Sequence, residues 1–144
     1  MPFVKVYIHF VFCTKNREPF LSSKELRQKV WQHIRENAIK KSIYIDFING
    51  HKEHCHCLIS LGTEQTMSNV MQLIKGESSF WINQQKLCEG KFQWQDEYFA
   101  VSVSESMLDK VREYIKNQEE HHKDKTFQEE YDKFMTRYGF QKFG

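Results

Sequence analysis

The sequence predicts an α+β domain: one antiparallel four-stranded sheet with helices on one face, followed by C-terminal helices. Three observations predict it. Stretches of period-two alternation near residues 3–14, 43–47, 54–61 and 97–103 read as strands, helical periodicity fills the intervals between and after them, and an Asn49-Gly50 turn signal joins the second strand to the third. The resulting order is strand, helix, strand, strand, helix, strand, helix, which is the split-βαβ or ferredoxin-like arrangement.

The first strand alternates Val4, Val6, Ile8, Phe10 and Phe12 against Lys5, Tyr7, His9 and Val11. Lys15-Asn16-Arg17-Glu18-Pro19 is a polar break. Ser22-x-x-Glu25 then has the form of a capping box ahead of Leu26, Val30, Ile34 and Ala38, predicting a helix over about 23–41. Ile43, Ile45 and Phe47 form the second strand, and Asn49-Gly50 should return the chain directly into the third. A second helix follows from Thr66 to about Lys86, with Val70, Leu73, Ile74 and Trp81 as its apolar stripe and Met71 and Phe80 at the margin. Gly76 inside it costs about 1 kcal/mol relative to alanine and suggests a close approach to the backbone at Lys75-Gly76-x-Ser78-Ser79. The fourth strand, Glu97–Val103, should turn Phe99, Val101 and Val103 inward and Tyr98, Ala100 and Ser102 outward. Ser106-x-x-Asp109 opens a third helix through about His122 with Leu108, Val111 and Ile115 as its stripe. A last helix near 126–138 carries Phe127, Tyr131, Phe134 and Met135 and stops at Gly139.

Length and composition bound the reading. With 144 residues, 40% of them hydrophobic and 15% aromatic, the chain is one domain (1–144, core about 3–122) with enough apolar content for a real core. There is no apolar run of membrane-spanning length and no signal-peptide pattern at Met1-Pro2-Phe3-Val4-Lys5, so the expectation is a cytoplasmic protein without a membrane partner. Cys13, Cys55, Cys57 and Cys88 include no C-x-x-C pair and read as buried thiols rather than redox centres. The net charge is only +2, so any nucleic-acid binding has to come from a local basic groove.

The chemistry concentrates in Gly50-His51-Lys52-Glu53-His54-Cys55-His56-Cys57. On an extended strand His54, His56, Leu58 and Ser60 share one face, while Cys55, Cys57, Ile59 and Leu61 share the other. A tetrahedral zinc site needs ligands converging from one side, and this strand offers two per face, so the His-Cys-His-Cys string is not a complete zinc site. The cysteine face reads as core. The histidine face reads as half of a metal site with open positions, to be completed from another element; Gln118, Glu53, Asp46 and Glu119 are all candidates for the third ligand. Tyr114 lies one helical turn before Gln118, and a phenol beside a metal can act as a nucleophile.

His54-Cys55-His56 after a short hairpin, Lys75-Gly76-x-Ser78-Ser79 in the middle helix, and Tyr114-Ile115-x-x-Gln118-Glu119-x-His121-His122 together resemble the insertion-sequence transposases of the HUH superfamily that use one tyrosine, including the REP-associated relatives. The resemblance runs from about Val6 to His122. It departs at Cys55, where the family more often has an aliphatic residue; a buried cysteine behaves as a small hydrophobe. The resemblance implies that His54, His56 and Gln118 hold Mg²⁺ or Mn²⁺ and that Tyr114 attacks a phosphodiester of single-stranded DNA. A 5′-phosphotyrosine and a free 3′-hydroxyl would result, allowing strands to be rejoined without ATP. It also implies recognition of a DNA hairpin and a homodimer formed by joining sheets. Lys75, Lys15 and Arg17 are candidates for backbone-phosphate contacts. His121 and His122 fit the family pattern without an assigned role.

Two other classes compete. A non-catalytic single-strand nucleic-acid-binding module would stack bases on Tyr7, Tyr44 and Tyr98, but has no use for the Tyr114/Gln118 pair. A zinc hydrolase would use His54, His56 and a carboxylate such as Glu53, and would not need Tyr114. Within the family, a domesticated relative that processes chromosomal hairpin repeats is the alternative to a mobile-element transposase.

Overall fold

The computed structural model describes residues 1–120 and 126–138, with the side chains of 127, 131, 134, 135 and 138 outside that description. Four strands, β1 (Tyr7–Cys13), β2 (Tyr44–His51), β3 (His54–Ser60) and β4 (Phe99–Val103), form one antiparallel sheet in the order β2-β3-β1-β4. The helices are α1 (Lys24–Lys40), α2 (Met67–Gln84), α3 (Leu108–Lys116) and α4 (Phe127–Tyr138). This is the ferredoxin-like α+β arrangement that the periodicity predicts.

Side-chain oxygens start the helices. Ser23, Thr66 and Thr126 accept from the backbone N–H groups of Leu26, Asn69 and Glu129, each contact contributing about 1 kcal/mol. The cap of α1 is thus Ser23, one residue after the predicted Ser22. Between β1 and α1, residues Lys15–Arg17 make one 3-10 turn.

The main core lies between the sheet and α1/α2. Ile8, Phe10 and Phe12 of β1 and Cys55, Cys57 and Ile59 of β3 meet Val30, Trp31 and Ile34 of α1 and Val70, Met71, Ile74 and Ile82 of α2. Burying one such aliphatic or aromatic side chain stabilises the fold by about 1.5–3 kcal/mol. A smaller cluster on the opposite face packs Leu108 and Ile115 of α3 on Leu58.

Several local expectations shift. Val4 and Val6 precede β1 and are exposed. Asn49 and Gly50 are inside β2; His51 pairs with His54, so the reversal is at Lys52-Glu53. Gly50 is required for another reason, because a Cβ there would sit 2.2 Å from the His54 carbonyl oxygen and 2.9 Å from Trp31 Cζ2. At Gly76, by contrast, a Cβ would meet nothing within 4 Å, so no close approach explains that glycine. The buried stripe of α2 runs through Val70, Met71, Ile74, Ser78 and Ile82, leaving Leu73 and Phe80 exposed. Around β4 it is Tyr98, just before the strand, and Ala100 that pack on the main core, while Phe99 and Val101 pair with Val11 and His9 on the other face. Both faces of the sheet are covered, so alternation alone does not say which is inward. The third helix ends at Lys116, Asn117 forms a turn, and helical backbone resumes at 118–120. Its predicted continuation through His121 and His122, and the stop at Gly139, lie outside the described residues.

Candidate active site

Strand β3 is flanked on both sides, so His54 and His56 are held in the middle of the sheet with no exposed surface. Helix α3 is anchored across their face. Arg112 Nε and Nη2 each lie 2.8 Å from Asp46 Oδ2 on β2, and Asn49 Nδ2 donates to the Lys116 carbonyl at 3.0 Å. This docking brings the Tyr114 ring edge-on to His56, with centroids 5.5 Å apart. Tyr114 therefore stands over the histidines of its own chain.

The polar contacts form a continuous network. His54 Nδ1 meets Glu53 Oε1 at 2.8 Å, and its Nε2 meets Gln118 Oε1 at 3.0 Å. His56 Nδ1 meets His9 Nε2 at 2.9 Å, and its Nε2 lies 2.9 Å from Glu130 Oε1. The Tyr114 hydroxyl donates to the same Glu130 oxygen at 2.5 Å. Glu130 comes from the first turn of α4 and is 5% exposed. Burial, reinforced by His56, pushes the His9 imidazole down to about 3, with Glu130 acting in the opposite sense. His9 is therefore neutral at ordinary pH, and one of the two rings donates the shared proton to the other.

Whether these residues suit a metal can be judged from His54. In the neutral ring that a metal ligand requires, the Glu53 carboxylate accepts the Nδ1 proton and Nε2 presents a lone pair toward the Gln118 side-chain carbonyl, itself an acceptor. Two acceptors 3.0 Å apart are satisfied by a shared cation, and that spacing suits neighbouring ligands on an octahedral ion with bonds of about 2.1 Å. Ligand atoms of His54, His56 and Glu130 lie within 4.8 Å of one another, and all three residues are buried. The cluster can therefore hold a divalent metal, with imidazole nitrogen and carboxylate oxygen as donors. Glu53 fixes the tautomer of His54, the usual task of a carboxylate behind a ligating histidine.

The predicted residues separate clearly. His54, His56, Tyr114 and Gln118 come together. Of the rival third ligands, Asp46 is paired with Arg112, and Glu119 makes a two-bond ion pair with buried Arg27 at 2.7 and 2.9 Å. Burial works to raise the Glu119 carboxyl, but Arg27 overrides it and holds the group below its usual range. Lys15 and Arg17 lie on the turn next to the cluster, and Arg17 donates to Gln128 of α4. Lys75 is on the opposite side of the sheet and donates to the Asp96 carbonyl at 2.8 Å; burial lowers its pKa. The Ser78 hydroxyl of the same motif accepts from Trp94 Nε1 at 2.9 Å, a structural anchor.

Sequence reasoning missed His9 and Glu130. His9 is visible in principle, since it alternates onto the sheet face opposite Phe10 and pairs with Leu58, a residue of the histidine face. Glu130 carries no such signal.

A four-stranded ferredoxin-like sheet with two histidines on a central strand, met by a tyrosine and a glutamine from the following helical segment, defines the HUH class with one tyrosine. Within that class the chain belongs to the IS200-like transposase family, whose model matches residues 3–118. Two solved structures share the fold. A candidate transposase from Deinococcus radiodurans R1 superimposes with a TM-score of 0.61 at 20% identity, covering 81% of this chain and 93% of that one. A REP-associated tyrosine transposase bound to a REP hairpin superimposes with a TM-score of 0.63 at 17% identity, covering 85% and 72%. No curated protein matches the chain by sequence.

Proposed function

We propose that this chain is a single-strand DNA endonuclease and strand transferase in which Tyr114 is the nucleophile and His54, His56 and Gln118, joined by Glu130, hold Mg²⁺ or Mn²⁺. The observation that carries the reading is the meeting of the Tyr114 hydroxyl, both histidines and Gln118 in one buried cluster. When bound, the ion supplies positive charge to a crowded phosphoryl centre. Glu130 is placed to take the phenolic proton, since its Oε1 already accepts from the Tyr114 hydroxyl. As the tyrosyl O–P bond forms, the bond from phosphorus to the 3′ oxygen breaks. That oxygen leaves as a hydroxyl after taking a proton from water, and the 5′ phosphate stays on Tyr114. Attack of a 3′-hydroxyl on the phosphotyrosine reverses the chemistry and rejoins strands.

A DNA hairpin as ligand belongs to the same proposal, supported by family membership and by the hairpin-bound relative of similar fold. So does a homodimer joined through its sheets.

The test is covalent capture. End-labelled single-stranded DNA from the flanks of the protein's own gene, incubated with Mg²⁺ or Mn²⁺, should give a denaturant-resistant adduct with wild type and none with Tyr114→Phe or His56→Ala. An adduct undiminished in Tyr114→Phe would remove Tyr114 as the nucleophile. Binding without any adduct would favour a non-catalytic binding module.

A further inference from the structure

We propose that the cavity beside the histidine cluster is a subsite for one unpaired guanine of the DNA strand, the base adjoining the phosphate that Tyr114 attacks; this rests on the functional reading above. The cavity has a volume of about 320 Å³, enough for a nucleobase, and its walls are Cys13, Asn16, Arg17, Gln95, Glu97 and Phe99, with Thr14 behind them. It adjoins the cluster directly. Cys13 is the cross-strand partner of His54, and Arg17 reaches Gln128, two residues before Glu130.

The walls are held in place by backbone bonds. Lys15 N–H donates to the Gln93 carbonyl at 2.9 Å, and Gln95 N–H to the Cys13 carbonyl at 2.8 Å. Asn16 N–H donates to Gln95 Oε1 at 3.1 Å, and Lys75 secures the Asp96 carbonyl, between Gln95 and Glu97, at 2.8 Å. Lys75 thus acts on this cavity as a positioning residue. Asn16 and Arg17 both have left-handed backbone, with φ of 56° and 54°, a conformation that costs a side-chain-bearing residue about 1–3 kcal/mol and persists where surroundings enforce it.

The wall chemistry selects the base. Arg17 is a planar fork of donors, and the Glu97 carboxylate is a pair of acceptors. Guanine presents two adjacent acceptors, O6 and N7, and two adjacent donors, N1–H and the N2 amino group. Adenine and cytosine each set one amino group beside an acceptor, and thymine has one imino donor between two carbonyls, so none gives Glu97 two neighbouring donors. Gln95 and Asn16 add amide groups that suit a polar base edge, and the half-buried Phe99 ring offers a stacking surface.

The experiment measures fluorescence anisotropy of short labelled oligo-dT strands, plain or with one central dG, dA, dC or deoxyinosine. The dG strand should bind about tenfold tighter than plain oligo-dT, and deoxyinosine, which lacks the N2 amino group, should lose most of that gain. Glu97→Ala, a change at an exposed residue, should bring dG down to the level of the other strands. Equal binding of all strands, or a dG preference that survives Glu97→Ala, would overturn the guanine subsite and leave the nuclease reading standing. Failure of every strand to bind would likewise overturn the guanine subsite, while the nuclease reading is decided separately by covalent capture on hairpin-bearing DNA.

Discussion

Toward α1 and α2, strand β3 presents Cys55, Cys57 and Ile59; toward α3 and α4, the alternating positions of the same strand present His54 and His56. All five are fully buried. On the first face burial is itself the stabilising term, because apolar surface leaves water among apolar neighbours. On the second, burial is a cost that hydrogen bonds must offset, since a buried polar group without partners loses about 1–3 kcal/mol. The polar face meets that condition through the adjacent Glu53 and through three residues far apart in sequence, His9, Gln118 and Glu130. One face is therefore a scaffold that tolerates chemical monotony, and the other a network in which each member has a defined partner.

The comparison breaks if damage to the apolar face reaches the polar one. Phe10 has no exposed surface, and Phe10→Ala should cost about 3–5 kcal/mol in urea denaturation while leaving Mn²⁺ affinity of the folded fraction unchanged. A loss of Mn²⁺ affinity as large as in His56→Ala would mean the faces are mechanically coupled. Metal should act in the opposite way: at a free Mn²⁺ concentration a hundredfold above its dissociation constant, wild type should gain about 2.7 kcal/mol of stability. His54→Ala should gain almost nothing, measured as the shift in thermal midpoint.

Gly50 is where both faces are expected to suffer together. Its absent Cβ would run into the His54 carbonyl on the site strand and the Trp31 ring in the core. Gly50→Ala should destabilise the fold by about 1–3 kcal/mol and also weaken Mn²⁺ binding. A variant that lost stability but kept full Mn²⁺ affinity would show that the strain relaxes entirely toward Trp31.

What was legible in the sequence follows the same division. The assignment of His54/His56 and Cys55/Cys57 to opposite faces follows from the strand period alone, and the structure agrees. The stripe of α2 was offset because Leu73 and Phe80 are apolar yet exposed, whereas Ser78 is buried to hold Trp94, and hydropathy records neither fact. The hairpin turn was displaced because Asn49-Gly50 is a strong turn dipeptide whose glycine is used here for clearance. Glu130 was illegible for a deeper reason. Glu129-Glu130 in the first turn of a helix is what the helix dipole favours anyway, so local pattern accounts for the acid without any site. Its contact with His56 depends on how α4 returns to the sheet, which no local period encodes.

Glu130 also gives the finest test of the polar network. Its Oε1 faces both the Tyr114 hydroxyl and His56 Nε2, so two roles meet in one carboxylate: a negative charge that favours a bound dication, and an acceptor that orients the phenol. Glu130→Gln separates them. The amide oxygen can still accept from Tyr114, but the charge is gone, and removing a carboxylate from a mixed imidazole and oxygen site should lower Mn²⁺ affinity by about tenfold, or about 1.4 kcal/mol. Isothermal titration with Mn²⁺ measures the first effect. Adduct yield at saturating Mn²⁺ measures the second, and it should fall well below wild type, because the amide still orients Tyr114 but cannot take its proton. Unchanged Mn²⁺ affinity would place Glu130 outside the metal's ligands and leave it as the partner of Tyr114 alone.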